Sequence, residues 1–253
     1  QITAAGCVLN KVEGMNINYL GFNTDVITDP EVRKALSQAV NVPELVESLY
    51  RGYATEATTI LPSFMPGYSD GITRPSYDPE AAQATLQEKG VTQIHMLAYT
   101  NPRPYNTATG QTLAEAIQGY WAKVGVECTI DSYDWTTYKD KVNAGGYDVC
   151  LYGWNGDNGD PDNFMYLLAH EDPGMNVAHY NDEEYKQMLA EAAALPNGDE
   201  RNAAYAAMEQ KLADECVWLP ISHQESLSAY VSNVNNFIYH PTGNVFLSKT
   251  YKN

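Results

Sequence analysis

The sequence has no long apolar run and few basic residues, and each shortage excludes a class of protein. No apolar stretch approaches the roughly 20 residues that cross a bilayer. The first residues, QITAAGCVLN, have neither a basic region nor a long apolar core, so they do not predict a signal peptide. With 15 Lys and Arg against 32 Asp and Glu, the net charge of −17 argues against nucleic acid or anionic membrane as a partner.

Motifs of metal and redox chemistry are also missing. The four cysteines are widely separated, with no CxxC pair and no metal-ligand spacing. Three of them stand beside apolar, strand-like runs, so we expect small buried side chains, and the spacing does not assign a disulfide. Cys7 follows AAG, which is similar to the end of a lipoprotein cleavage site, but no apolar segment precedes it. We therefore interpret the likeness at Cys7 as an accident, or Cys7 as a packed thiol.

Enzymatic motifs are equally scarce. The sequence contains no GxSxG, HExxH or P-loop, and HEDPG at residues 170–174 does not match the zinc-protease pattern. The five histidines are scattered, which favours packing or surface roles over a general base. We therefore predict no catalytic residue, no metal and no cofactor. A carboxylate-dependent hydrolase stays as an outside alternative.

The middle of the chain alternates strand and helix patterns. Residues 92–100, 126–133 and 147–154 read as strands, and the helical stripe between the first two includes Leu113 and Ile117. This β-α-β-α-β order predicts an α/β fold with a mixed, mostly parallel sheet and flanking helices. Further helices are predicted at 29–40, from 41, and at 78–88, 135–145, 161–169, 182–195 and 199–215; further strands at 16–24, 217–224 and 226–233; and a long irregular loop at 54–76.

One stretch, GWNGDNGDPDNF at residues 153–164, places Asp157, Asp160 and Asp162 among glycines and asparagines. It could serve as a metal loop, a catalytic carboxylate pair, a counter-charge for a ligand or a solvated turn. A calcium loop of the EF-hand type needs acids at positions one, three and five, glycine at six and glutamate at twelve, and no register here meets that rule. Pro161 followed by Asp162 is typical of a helix start, so Asp160 and Asp162 are expected to cap it.

Two charged loops leave the carboxyl ends of predicted parallel strands, where open sheets bind ligands. TNPRPYN, residues 100–106, carries Arg103, and NGDNGD, residues 155–160, carries Asp157. Arginine suits a carboxylate and aspartate suits an ammonium, so together they can hold a small zwitterion. The ordinary alternative is that the two side chains pair with each other or face solvent. The spacing alone favours that alternative, because exposed charged side chains rarely contribute much free energy to folding or binding.

In this order, the segments resemble the peptide-binding branch of the ABC-importer solute-binding proteins, family 5, and within it the dipeptide-binding proteins. The most specific part is GWNGDNGDPDNF, which is close to the family signature GWTGDNGDPDNF. RPYN and three longer segments support it: WAKVGVECTIDSYDWTTYKDK, LGFNTDVITDPEVRKALSQAVN and YDPEAAQATLQEKG. The resemblance covers nearly the whole chain.

The resemblance implies a periplasmic-binding-protein type II-like lobe, one of two that close on a ligand in a protein roughly twice as long. We expect residues 1–19 to be a hinge or return segment from the missing lobe. Residues 20–230 are expected to form the ligand-binding lobe, and residues 231–253 a C-terminal return strand and tail. The implied protein is a monomeric, extracytoplasmic component, periplasmic or held at the cell surface as a lipoprotein. Its implied partners are a short peptide, the importer's permease subunits and the second lobe.

The resemblance also implies roles for individual residues. It assigns Arg103 to the carboxylate of a dipeptide and Asp157 to its amino group. The other expected ligand-binding residues are Tyr105, Gly153, Trp154, Asn155 and Gly156. The same family includes binders of nickel, haem, glutathione and longer peptides, which remain alternatives. Two departures are a one-residue insertion between Arg103 and Trp121, which bears on the placement of Arg103, and the lack of a cysteine pair after the acidic stretch.

Overall fold

Short polar side chains begin helices where the sequence predicts them. In the computed structural model, which describes residues 6–253, the Asp29 carboxylate accepts a hydrogen bond from the Glu31 backbone N–H at 2.9 Å. The Asn41 side chain accepts one from the Glu44 backbone N–H, and Asp78 caps the third helix in the same way. The helices are α1 (Pro30–Gln38), α2 (Val42–Tyr50), α3 (Pro79–Glu88), α4 (Gly110–Lys123), α5 (Trp135–Ala144), α6 (Asp162–Met165), α7 (Glu183–Ala194) and α8 (Asp199–Glu215).

The strands form one mixed sheet in the order β1-β7-β2-β6-β4-β5, with β3 added along β7. β4 pairs in parallel with β5 and β6, through the crossover helices α4 and α5, as the β-α-β-α-β pattern predicts. β7 runs in the same direction as these three strands, while β1, β2 and β3 run the opposite way. The strands are β1 (Cys7–Glu13), β2 (Asn16–Phe22), β3 (Ala54–Glu56), β4 (Gln93–Tyr99), β5 (Glu127–Tyr133), β6 (Val149–Asn155) and β7 (Trp218–Val231), with two-residue strands β8 (Val234–Asn235), β9 (Ile238–Tyr239), β10 (Val245–Phe246) and β11 (Tyr251–Lys252).

Two sequence predictions about strands β7 and β3 were wrong. The two strands predicted at 217–224 and 226–233 are one continuous strand, β7. It stays unbroken because its first part pairs with β2 and its second part with β1, so partners support it along its length. The loop predicted at 54–76 begins with a strand, β3, which pairs with the middle of β7.

The apolar core lies between this sheet and the helices. Leu113, Ile117 and Trp121 on α4 are each 0% exposed, which confirms the helical stripe in the sequence. Of the cysteines, Cys128, Cys150 and Cys216 are buried, and the four thiols, all within the described residues, form no disulfide. None of the helices between residues 6 and 253 combines the length and apolar character needed to cross a membrane.

Glu209 on α8 is an exception to the apolar core. The side chain is 2% exposed and accepts a hydrogen bond from the Leu61 backbone N–H at 3.0 Å. Burial raises the pKa of its carboxyl from 4.5 to about 7. The folded protein therefore holds this proton more tightly than the unfolded chain does. Glu209 thus lowers the free energy of unfolding as the pH rises from about 4.5 to about 7.

Glu209→Gln should therefore gain stability relative to the wild type as the pH rises. The amide keeps the shape and the acceptor for Leu61 but carries no charge. Between pH 4 and pH 8 the difference in unfolding free energy should move in favour of the variant by about 2–3 kcal/mol. Urea denaturation of both proteins at the two pH values measures this. A difference that does not change with pH would contradict the raised pKa, because the other titrating groups are common to both proteins.

Candidate functional site

Three neighbouring parallel strands end at one edge of the sheet, and each delivers a candidate side chain there. β4 leads into the loop that carries Arg103, and β6 leads into the acidic stretch that carries Asp157. β5 leads into α5, whose first residue is Trp135. The strand order β6-β4-β5 puts these three connections side by side.

The Arg103 loop is a tight turn that a buried asparagine, Asn106, anchors to the core by hydrogen bonds. Backbone hydrogen bonds join Arg103 and Asn106 in both directions, at 2.8 and 2.9 Å. The Asn106 side chain is 0% exposed; it donates to the Tyr99 hydroxyl at 2.9 Å and accepts from the Tyr50 hydroxyl at 2.8 Å. Since all three groups are buried and hydrogen-bonded, the turn that presents Arg103 has little freedom to move.

The Arg103 guanidinium lies on an aromatic face. Its carbon Cζ is 3.9 Å from the centre of the Trp135 ring, a close cation–π contact. Its Nε is buried and has no hydrogen-bond partner among residues 6–253. Within the same described part of the chain, no carboxylate forms an ion pair with Arg103, Asp157 included. The N–H groups along the edge of the Arg103 guanidinium are therefore available to an anion that is not part of residues 6–253.

Tyr105 adds a second hydrogen-bond donor beside Arg103. The residue is 4% exposed, and its hydroxyl has no partner among the residues described. Burial raises the pKa of this phenol, so it remains an O–H donor at neutral pH. Its ring packs edge-on against Tyr99, with the ring centres 6.3 Å apart. Arg103 and Tyr105 thus offer two unused donors from one turn.

Gly153 in β6 makes room for the Tyr105 ring. A β-carbon at Gly153 would overlap that ring and would lie 2.5 Å from the Ile17 carbonyl oxygen on the neighbouring strand. Gly156, six residues before the start of α6, is similarly crowded by Met15 and Phe164. Both glycines are therefore required by close packing around the candidate site.

Gly153→Ala should destabilise the protein by about 1–3 kcal/mol, because the Ile17 carbonyl belongs to the central sheet and cannot yield easily. Gly159→Ala is the matched control: this glycine lies in the same acidic stretch, and a β-carbon there meets nothing within 4 Å. Thermal or urea unfolding of both variants measures the difference. Equal, small effects at the two positions would show that the Tyr105 ring is not held against β6.

The acidic stretch is organised by Asn163, which the sequence analysis did not identify. Its side-chain oxygen accepts hydrogen bonds from the Trp154 indole N–H and from the Asp157 backbone N–H, both at 3.0 Å. Its amide nitrogen donates to the Asp157 carboxylate at 3.4 Å. Asp157 itself is exposed. Asn163 therefore orients the carboxylate while leaving it open to solvent or to a ligand.

The neighbouring aspartates have structural partners instead. Asp160 accepts from the Asp162 backbone N–H at 2.9 Å, as predicted for a cap, and pairs with Arg201 at 2.8 Å. Asp162 is the first residue of α6, in the first turn as predicted, and its carboxylate accepts a hydrogen bond from the Tyr205 hydroxyl. The part of the chain described here contains no cluster of three or more His, Cys, Asp or Glu able to hold a metal ion.

The remaining residues predicted for the site lie on the same strand end. Asn155 is the last residue of β6 and pairs with Asn16 of β2, and the Gly156 backbone N–H donates to the Met15 carbonyl at 2.7 Å. A groove of about 480 Å³ runs past these residues. Its walls also include Pro104 of the Arg103 loop and Tyr239 and Pro241 of the tail. The groove thus contacts residues next to both charged side chains, although neither Arg103 nor Asp157 lines it.

The sequence pattern described as bacterial extracellular solute-binding proteins, family 5 (middle), matches residues 3–176. The chain belongs to this family. The dipeptide-binding protein of Escherichia coli (strain K12) is 32% identical to this family 5 chain over 243 residues, covering 93% of the chain and 45% of that protein. The heme-binding protein A of Haemophilus influenzae is also 32% identical, over 91% of the chain and 43% of that protein.

The fold of this chain is also similar to that of a solved structure. The dipeptide-binding protein from Pseudoalteromonas sp. SM9913, in complex with Met-Leu, superposes with a TM-score of 0.84 and 25% identity. The superposition covers 98% of this family 5 chain and 50% of that one. The chain therefore spans about half the length of the relatives it matches. The mixed α/β fold and the family resemblance predicted from the sequence are confirmed.

Proposed function

We propose that this chain is one lobe of the solute-binding component of an ABC importer, and that its ligand is a short peptide, a dipeptide above all. One observation carries the proposal: Arg103 and Asp157 stand on adjacent loops at one sheet edge and are not paired with each other. A free dipeptide is a zwitterion that matches these two charges. Relatives named as dipeptide-binding proteins support the same reading.

Each side chain then has a role in holding the peptide. Arg103 binds the carboxylate with its free edge, and Tyr105 adds a hydroxyl donor to the same group. Asp157, oriented by Asn163, accepts from the α-ammonium. The backbone of the strand end supplies contacts along the peptide, from the residues Gly153, Trp154, Asn155 and Gly156.

A second lobe completes the cleft in this proposal. Residues 20–230 form the ligand-binding lobe, residues 1–19 and 231–253 are the hinge, return strand and tail, and residues 1–5 of the first segment lie outside the described part of the chain. Exposed apolar side chains support this division, because many of them lie in the segments outside residues 20–230: Val8, Val231, Ile238, Val245, Phe246, Leu247 and Tyr251. The complete protein is a monomer that delivers its ligand to permease subunits.

The proposed location is extracytoplasmic, in the periplasm or at the cell surface on a lipid anchor, in keeping with the family description. No catalytic step is assigned to the chain. The heme-binding relative makes haem a second candidate. Haem has carboxylates for Arg103 but no ammonium for Asp157, and this difference favours the peptide. Native mass spectrometry of the complete protein tests the choice, since a retained dipeptide supports the proposal and retained haem contradicts it.

The 253-residue chain alone should bind dipeptides weakly or not at all. A single lobe makes only part of the contacts and leaves Arg103 and Asp157 in water, where their attraction for a ligand is screened. Isothermal titration calorimetry of the chain with a panel of dipeptides measures this. Micromolar affinity would show that the site is complete within this chain and would overturn the two-lobe proposal.

A further inference from the structure

A small, partly open cavity lies between α8, the start of β7 and the irregular loop after β3. It offers about 20 Å³ to the centre of a water-sized sphere, and its walls are largely aliphatic. A single water molecule needs about 10–15 Å³ by this measure, so the cavity has room for water but not for a larger ligand.

Two buried polar atoms belong to residues that line this cavity and have no hydrogen-bond partner among residues 6–253. One is Oε2 of Glu209, in a residue 2% exposed, and the other is Nε1 of Trp218, in a residue 4% exposed. Buried polar groups in folded proteins are nearly always paired. Two unpaired polar atoms in residues that line one cavity therefore call for an occupant that bonds to both.

Neither group can easily turn away to find another partner. The Trp218 indole is stacked on the Tyr19 ring, with ring centres 3.7 Å apart and planes within 10°. The other oxygen of Glu209 is held by the Leu61 backbone N–H at 3.0 Å. Arg74 also lines the cavity, but its guanidinium is engaged by Glu56 and by the Ala57 carbonyl oxygen. Both unpaired atoms are thus fixed where they are.

The chemistry of the two atoms selects the occupant. A cation would face the Trp218 N–H, and an anion would be repelled by the Glu209 carboxylate whenever that group is ionised. Water alone, among species of this size, both accepts and donates. We propose that the cavity holds one ordered water molecule, which accepts a hydrogen bond from Trp218 Nε1–H and bonds to Glu209 Oε2, as a donor to the carboxylate or as an acceptor from the carboxylic acid.

Such a water has a structural consequence for the irregular loop. Glu209 already holds the loop through Leu61, and Trp218 belongs to the central sheet. The water links the two residues, so the loop, α8 and β7 are joined through one buried polar group. The link is independent of the proposed peptide site, because none of its members lies on the Arg103 or Asp157 loops.

Nuclear magnetic resonance of the wild-type protein tests the water directly. We expect a cross-relaxation peak between the Trp218 indole proton and a long-lived water, assigned by its loss in Trp218→Phe, which keeps a ring for Tyr19. Trp121 is the matched control, because it is 0% exposed and its indole N–H donates directly to the Leu36 carbonyl oxygen at 2.9 Å. Its indole proton should show no such peak.

A high-resolution crystal structure of the wild-type protein gives a second readout that needs no variant. One water within about 3 Å of both Glu209 Oε2 and Trp218 Nε1 supports the proposal. An empty cavity, a bound ion, or a direct hydrogen bond between the two side chains would overturn it. The proposal is also overturned if the Trp218 and Trp121 indole protons show the same cross-relaxation with water.

Discussion

Asp157→Asn should weaken the binding of a free dipeptide to the complete two-lobed protein by roughly two to three decades. The substitution keeps the size of the side chain and its link to Asn163, but it removes the negative charge. Once the cleft closes, the α-ammonium of the peptide is desolvated and has lost its ionic partner. Leaving one charge of such a pair unmatched costs roughly 2–5 kcal/mol. Isothermal titration calorimetry with wild type and variant measures the loss.

The matched control is Asp160→Asn, three residues along the same stretch. Asp160 is held by Arg201 and the start of α6, so its neutralisation should change binding little. A double-mutant cycle with the N-acetylated peptide then identifies the contact. Acetylation should harm the wild type strongly and add little in Asp157→Asn. Fully additive losses would mean that Asp157 does not bind the amino group.

The helices and their starts could be read from the sequence because their determinants are local. Asp29, Asn41 and Asp78 each cap a helix that begins within one or two residues, so each signal and its structure lie together in the chain. The helical stripe of α4 is also local, and it implied the crossover between β4 and β5. Both were confirmed.

β7 was misread because its continuity depends on distant partners. The sequence analysis ended one predicted strand at Gln224 and began the next after the charged residue Glu225. The Gln224 side chain is nevertheless 2% exposed and hydrogen-bonded to the Tyr53 carbonyl oxygen and to Thr107. The Asn16 side chain also accepts from its backbone N–H, across 208 residues of sequence. Such long-range pairing overrides a local polar signal.

At the candidate site, the sequence predicted which loops meet but not which charges are already paired. The rule for parallel strand ends placed Arg103 and Asp157 on one edge, and the same rule applied to β5 would have added Trp135. The helix start at Pro161 separated Asp160 from Asp157 in the sequence, but the ion-pair partner of Asp160, Arg201 on a later helix, could not be predicted from it. Asn163 was missed for a similar reason, since its three bonds become visible only when the stretch folds back on itself.

Arg103→Ala should also cost the complete protein about two to three decades in dipeptide affinity, with the loss at the other end of the peptide. The guanidinium is held flat on Trp135, and its edge is available for a bidentate contact with a carboxylate. Removing it leaves the peptide carboxylate desolvated without a cation. Calorimetry measures the change, and Lys139→Ala, an exposed cation on α5, serves as a control that should change binding little.

Arg103→Lys separates the charge of this residue from its shape. Lysine keeps the positive charge but lacks the planar fork that both stacks on Trp135 and grips two oxygens. It should therefore recover only part of the affinity that Arg103→Ala loses. C-terminal amidation of the peptide should weaken the wild type strongly and add little in Arg103→Ala, because the same contact is then already gone. If lysine restored full affinity, the stacked geometry would not matter; if amidation and Arg103→Ala were additive, Arg103 would not bind the carboxylate.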